Sequence, residues 1–332
     1  DHAKFDEESA LKLAVKGADA ILHFAGVNRG PEDDVASANP AIARRLVGAC
    51  EAAGVAPHIV YANSIHSSTD TAYGLSKRIA GEVLDGFASR YTNMILPHIF
   101  GECARPFYNN ITATLIHQLI ASEDVSLNPN GHTQLLYAGD AARVGINAIK
   151  TGSIGQLQPV SYPLSVPDLF AKLKGFHESY QANVYPDVSE AIDLALFNSY
   201  RAATYPDHWP RHLQLKVDQR GTLFEAVKGG GGGQTFLSTT KPGLTRGDHF
   251  HLSKVERFLV VQGEAIVRIR KVLSDKVWEY RVSGDTPAPV DMPTLHTHSI
   301  ENVGDGELLT LFWTHELFDP NNSDTYADEV LQ

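Results

Sequence analysis

The hydrophobic pattern changes its period once along the chain, and that change limits what the sequence can fold into. Through residue 204, short apolar runs alternate with amphipathic stretches, whereas beyond 212 apolar and polar residues alternate singly. The first pattern predicts a doubly wound α/β domain around a parallel sheet, and the second predicts an all-β domain of closely spaced strands. A length of 332 residues suits two cores better than one. The expected division is a first domain over 1–204, a linker at 205–211 marked by Pro206 and Pro210, and a second domain over 212–332.

In the first half the apolar runs predict strands at 20–26, 58–62 and 94–99, with helices at 8–16, 38–53, 73–89 and 111–122. In the second half they predict strands at 213–217, 222–227, 235–239, 257–262, 265–270, 277–282 and 308–313. Gly229 to Gly233 read as a flexible hairpin loop between two of these strands. A phosphate cradle is the weaker reading there, because no helix follows to supply a dipole.

His249 and His251 are two apart, so on a strand both face one side, and Glu256 arrives on the next strand after a short turn. His298 supplies a fourth donor. Three imidazoles and a carboxylate suit a divalent metal held inside a small β-barrel, with Gly243 and Gly263 where tight turns are needed. By ligand type alone Zn, Fe, Mn, Ni or Co would fit. His296 is a candidate base, with packing or support of the ligands as its bland alternative. Lys254 and Arg246 are candidate diphosphate contacts, against the plainer reading of solvated surface side chains.

These positions resemble the paired motifs of the cupin superfamily, which implies a jelly-roll barrel. Leu295 stands where the second motif usually has glycine, so easy access to positive φ is lost at that turn.

Tyr73 and Lys77 lie one helical turn apart on a shared face, and Ser64 sits just beyond a strand whose carboxyl edge would meet a ligand. Together they resemble the Ser, Tyr-x-x-x-Lys triad of extended short-chain dehydrogenases/reductases. The resemblance implies that Tyr73 donates a proton to a ketone oxygen as hydride arrives, that Lys77 lowers the tyrosine pKa and holds the nicotinamide ribose, and that Ser64 orients the carbonyl. It also implies a cofactor-lining turn at Phe24, Ala25 and Gly26 and an active-site asparagine at Asn39, for which a helix cap before Pro40 is the alternative. The family's glycine-rich pyrophosphate loop does not occur, and the expectation is a chain that starts after it. His98 stands where that family commonly has asparagine, and packing beside the sheet is its plainer role.

A reductase of this kind ahead of a cupin, with Ala25 to Arg29, Arg105 to Asn110, Thr240 to His249 and Phe318-Asp-Pro, resembles the capsular polysaccharide synthesis enzyme family CapF, also called WbjC. The resemblance implies a bifunctional enzyme acting on a UDP-linked 4-keto-6-deoxy-N-acetylhexosamine. The cupin would epimerise C3, and the reductase would then convert the 4-ketone with NADPH (or NADH) to a 6-deoxy-L-talose derivative on the route to N-acetyl-L-fucosamine. It implies zinc as the metal and a homodimer as the assembly. The rival readings are a single-activity reductase with a sugar-binding or dimer-forming cupin, a dioxygenase cupin, and a non-catalytic sensor in the first domain.

A net charge of −11 argues against nucleic acid as partner, and no apolar run approaches the ~20 residues of a membrane span. Only Cys50 and Cys103 occur, the first in an apolar helical pattern, so no disulfide framework is expected. A reducing, cytoplasmic setting fits.

Overall fold

The computed structural model describes residues 7–219 and 221–331, and divides them into two compact units. The first comprises 7–100, 105–111 and 128–166; the second comprises 101–104, 112–127 and the remainder from 167.

In the amino-terminal unit α1 (Glu8–Val15) leads into β1 (Ala20–His23), α2 (Glu32–Ala53), β2 (His58–Ser64), a 3-10 turn (Ile65–Ser68), α3 (Ala72–Phe87) and β3 (Tyr91–Leu96). After β4 (His98–Phe100) the chain passes through α4 (Ile111–Ile120), which beyond its first residue belongs to the second unit, and returns with β5 (His132–Tyr137), α5 (Ala138–Thr151), β6 (Gly155–Leu157) and β7 (Tyr162–Ser165). Strands β1, β2, β3 and β6 form one sheet in that order, every pairing parallel. β2 is buried along its whole length, as a central parallel strand with helices on both faces must be. One core layer joins Leu46 and Cys50 of α2 to Ile59, Tyr61 and Leu84, and another sets Val60 and Met94 against Ala141 and Ala148 of α5. This is the expected doubly wound, Rossmann-like arrangement.

Two local expectations differ. The single strand predicted over 94–99 is two strands in different sheets, because Pro97 has no N–H to continue the ladder and the chain leaves for a small sheet of β4, β5 and β7. Helix α2 begins at Glu32, six residues early, with Glu32, Asp33 and Asp34 favouring its first turn. Pro40 therefore lies inside it, and Asn39 is not its cap.

The carboxyl-terminal unit starts earlier than the predicted boundary. Helices α6 (Val166–Gln181) and α7 (Ala191–Thr204), with β8 (Val184–Tyr185) between them, pack with the strands that follow. Asn198 Nδ2 donates to Ser253 O at 2.7 Å and Arg201 Nη2 to Met292 O at 2.7 Å. Tyr180 and Tyr185 both donate to the Asp291 carboxylate, at 2.5 and 2.6 Å. The unit is β-rich, but the all-β reading omitted these helices. The 205–211 segment is likewise no open linker: Trp209 is buried in the core and donates to Asp291 O at 2.6 Å.

A hairpin of β9 (Lys216–Asp218) and β10 (Gly221–Leu223) precedes β11 (Lys228–Gly229), β12 (Gln234–Thr240), β13 (Thr245–Phe250), β14 (Glu256–Gln262) and β15 (Glu264–Lys271). Then follow β16 (Val277–Ser283), β17 (Val290–Met292), β18 (His296–Asn302), β19 (Leu308–Thr314) and β20 (Tyr326–Ala327). One sheet runs β12-β19-β14-β17 and another β16-β15-β18-β13-β20. A single core joins them, with Phe258, Met292 and Phe312 from the first sheet and Val267, Ile269 and Ile300 from the second. The glycine run is not a hairpin loop: Lys228–Gly229 pairs in parallel with β8, and Gly230 N donates to Tyr185 O at 2.8 Å.

Among the described residues no helix is long and apolar enough to cross a membrane, and both cysteines are free thiols, Cys50 buried and Cys103 exposed.

Candidate functional sites

At the carboxyl edge of the parallel sheet, Phe24, Gly26, Asn39, Ser64, Tyr73 and Lys77 line a cleft of about 920 Å³ together with His66 and His98. Thr71 caps α3 by accepting from Gly74 N, and Gly74 must lack a side chain, since a Cβ would lie 2.2 Å from His66 O. That close approach brings the start of α3, and with it Tyr73, against the end of β2. The Tyr73 hydroxyl shares a hydrogen bond with Ser64; burial pushes its pKa up and the Ser64 contact only partly offsets this. The expected lowering by Lys77 is not the governing effect.

Lys77 lies one turn further along α3, buried, donating from Nζ to Ala62 O at 2.6 Å with its ammonium 4.1 Å over the Tyr61 ring. Burial lowers its pKa to about 7. Behind it His23 stacks on Tyr61, and burial together with the Lys77 charge lowers the histidine to about 4. Asn39 clamps the turn after β1: its Oδ1 accepts from Val27 N at 2.9 Å, while Nδ2 donates to Val27 O at 2.8 Å and to Ser76 Oγ at 2.9 Å. Gly26 passes so close that a Cβ would fall 2.9 Å from Asn39 Oδ1. Ala25 is exposed beside it. His98 is not simply packed: it lines the cleft and bonds Asn110, yet its buried Nε2 has no partner.

In the carboxyl-terminal unit, donor atoms of His249, His251, Glu256 and His298 lie within 4.8 Å of one another. β13 and β18 pair directly at His249 and His298, and Glu256 opens β14. Gly247 permits this pairing: its φ is 108°, and a Cβ would sit 2.6 Å from His298 O. The doubt about Leu295 resolves at its backbone, which adopts φ 60° despite the side chain. Its amide donates to His251 O at 2.8 Å, so one turn holds both motifs together.

Backbone carbonyls aim the rings. His251 Nδ1 lies 2.5 Å from Asp324 O and His298 Nδ1 3.0 Å from His296 O, while His249 bonds to the Gly247 backbone. A carbonyl only accepts, so Nδ1 of His251 and of His298 carries a proton and the Nε2 of each turns toward Glu256. His251 Nε2 is 3.2 Å and His298 Nε2 3.3 Å from Glu256 Oε2. The latter is too poorly aligned for a hydrogen bond, which leaves His298 Nε2 buried and unsatisfied. Burial pushes the Glu256 carboxyl up, but the two imidazoles outweigh it and hold the group well below the usual range. His249 is lowered to about 4 by burial and by its neighbours His298 and His251.

Asp324, which carried no sequence signal, ties the loop beside this cluster: its carboxylate accepts from Leu252 N, Ser253 N and Lys254 N at 2.8 to 3.0 Å. His296 stands outside the cluster, buried, with Nδ1 2.8 Å from Thr294 O and its ring edge-on to Tyr205; burial lowers it to about 4. Lys254 is buried and donates to Ser323 O at 2.6 Å, and Arg246 bonds Thr240 Oγ1 at 3.0 Å. Lys254 is thus held within the protein, whereas Arg246 stays exposed while bonded.

The Polysaccharide biosynthesis C-terminal domain family matches residues 216–326. Over 341 aligned positions the chain is 32% identical to the UDP-2-acetamido-2,6-beta-L-arabino-hexul-4-ose reductase of Pseudomonas aeruginosa, covering 98% of this chain and 91% of the relative. Among solved structures, the capsular polysaccharide assembling protein CapF of Staphylococcus aureus is 30% identical with a TM-score of 0.57, covering 98% of this chain and 90% of that one. A second crystal form of CapF gives 28% identity and a TM-score of 0.51. With both units and nearly the whole length matched at this identity, the chain belongs to the CapF-like capsular polysaccharide synthesis family.

Proposed function

We propose that the chain is a sugar-nucleotide enzyme with two centres: a short-chain-dehydrogenase-type reductase in the amino-terminal unit and a cupin epimerase in the carboxyl-terminal unit. The substrate is a UDP-linked 4-keto-6-deoxy-N-acetylhexosamine, inverted at C3 and then reduced at C4. The observation that carries the reading is the convergence of Ser64, Tyr73 and Lys77 on one cleft in a chain one-third identical to a hexulose reductase.

For reduction, the ketone oxygen sits between the hydroxyls of Ser64 and Tyr73. Tyr73, which burial keeps protonated at neutral pH, gives its proton to that oxygen. NADPH or NADH supplies the hydride to C4. Lys77, whose ammonium can donate beyond its bond to Ala62 O, would hold it, while Gly26 and Asn39, locked to each other and to Val27 and Ser76, would fix the turn it lies against. Phe24 and Ala25 line the same turn. Tyr73→Phe should abolish ketone reduction while leaving nucleotide binding intact, and undiminished turnover in that variant would remove the assignment.

For inversion, a C3 hydrogen made acidic by the adjacent ketone needs a base and an opposite-face acid. His296 is suited to the first role, being neutral at physiological pH with Nδ1–H on Thr294 O, which leaves Nε2 as the basic nitrogen. His249, His251, Glu256 and His298 fit a divalent ion, with zinc the family's expectation. Their donor atoms lie within 4.8 Å of one another, with Nε2 of His251 and of His298 3.2 and 3.3 Å from Glu256 Oε2, so these four side chains would hold it. An ion would also satisfy the orphaned His298 Nε2. Bound there, it supplies polarisation of the ketone or rigidity for the barrel.

The burial of His251, Glu256 and His298 favours a second reading, a closed structural ion and a carboxyl-terminal unit that only binds sugar or dimerises. Deuterium entering C3 from solvent without reduced nicotinamide, and lost in His296→Asn, supports epimerisation; no exchange in the wild type supports the second reading.

A further inference from the structure

We propose that Arg29 and Arg105, gathered on the ring of Tyr108 at the mouth of the amino-terminal cleft, form a subsite for the diphosphate of a nucleotide sugar; the identity of the sugar rests on the reductase reading above, but the subsite does not. The guanidinium of Arg29 lies 5.6 Å and that of Arg105 5.2 Å from the Tyr108 centroid. Two cations sharing one ring repel each other, and in a protein of net charge −11 such a pair is against the general trend. Both reach a ring face, neither is ion-paired with a carboxylate among the described residues, and Arg29 also donates to Phe107 O. Each guanidinium retains forked donors of the geometry that phosphate oxygens accept in pairs.

The two loops that carry them are bound to each other. Besides the Arg29 contact, Asn109 Nδ2 donates to Asn28 O at 2.8 Å, and Phe107 and Asn109 take the left-handed backbone at φ 58° and 52°. Left-handed non-glycine residues persist where surrounding contacts hold them, so the loop is fixed in a shape that presents Tyr108 and its two cations. Tyr108, Asn109 and Asn28 line the cleft that contains Ser64 and Tyr73. An anion anchored at this mouth therefore directs the group it carries inward, toward the two hydroxyls. A diphosphate supplies two bidentate acceptors for two forks, which a monophosphate does not.

Titration calorimetry of the full chain with UDP and with UMP tests this. Arg29→Ala and Arg105→Ala, both at exposed positions, should each weaken UDP about tenfold, the double variant should bind UDP no better than UMP, and added salt should weaken only the wild type steeply. Tyr73→Phe should bind UDP as the wild type does. If Tyr73→Phe still reduces ketone while the arginine variants lose UDP, the reductase assignment fails and the subsite stands. Undiminished UDP binding in the double variant overturns the subsite. So does a loss confined to NADP, which would place the two cations on the dinucleotide instead.

Discussion

Gly247 is the residue on which the imidazole cluster turns most directly. A methyl group there meets the His298 carbonyl and forces φ 108° on a residue that avoids it. Gly247→Ala should cost about 3 kcal/mol and lower the melting temperature of the carboxyl-terminal unit, read by calorimetry. Lys77 offers a test by pH. Its pKa is lowered to about 7 from an unfolded value near 10.5, so across that window the unfolded chain holds more protons and stability rises with pH. Lys77→Met removes the buried charge, and its stability advantage over the wild type should be largest near pH 7 and shrink toward pH 9 in denaturant titrations. At this scale the sequence was informative because spacing alone aligns side chains: two residues on a strand for His249 and His251, four on a helix for Tyr73 and Lys77. It was silent on Tyr61 beneath the ammonium and on His98's orphaned nitrogen, since neither is set by local periodicity.

Among elements, the segment around Asp324 does for the cluster what no strand does. Its carboxylate collects the amides of Leu252, Ser253 and Lys254 while its carbonyl orients His251. Asp324→Ala should destabilise the unit by about 2 kcal/mol in denaturant titrations, whereas Asp324→Asn should recover part of that loss. Such a residue has no signature, because its partners lie some seventy positions away and its own neighbours form no element. The split of the 94–99 run has the opposite origin: Pro97 was visible, but apolar continuity across it masked the break. Asn39 shows the same bias, since a polar residue before proline suggests a cap until the acidic turn upstream is counted as helix.

Across the molecule, the place where the chain divides depends on a buried ion pair. Arg257 and Asp291 are fully buried and doubly bonded at 2.5 and 2.9 Å, and the same carboxylate accepts from Tyr180 and Tyr185. Burial alone would raise Asp291, but Arg257 beside it holds the carboxyl well below the usual range. Truncating one partner would leave a buried charge uncompensated, at about 3–5 kcal/mol. A fragment of residues 167–332 should therefore unfold cooperatively, while 212–332, lacking both tyrosines and Trp209, should be poorly soluble and melt without a sharp transition in circular dichroism. The change of hydrophobic period marks where strands begin, which is not where the unit begins, because helices that pack on a sheet carry the same amphipathic signal as helices that flank a neighbouring one.

Synthesis proceeds from amino to carboxyl end, and Asp324 emerges after all four donors it helps to arrange. A newly made chain thus exposes its imidazoles before it can aim them, and clipping this stretch would leave all four side chains in the chain while taking away the carbonyl that orients His251 and the carboxylate that gathers the 252–254 amides.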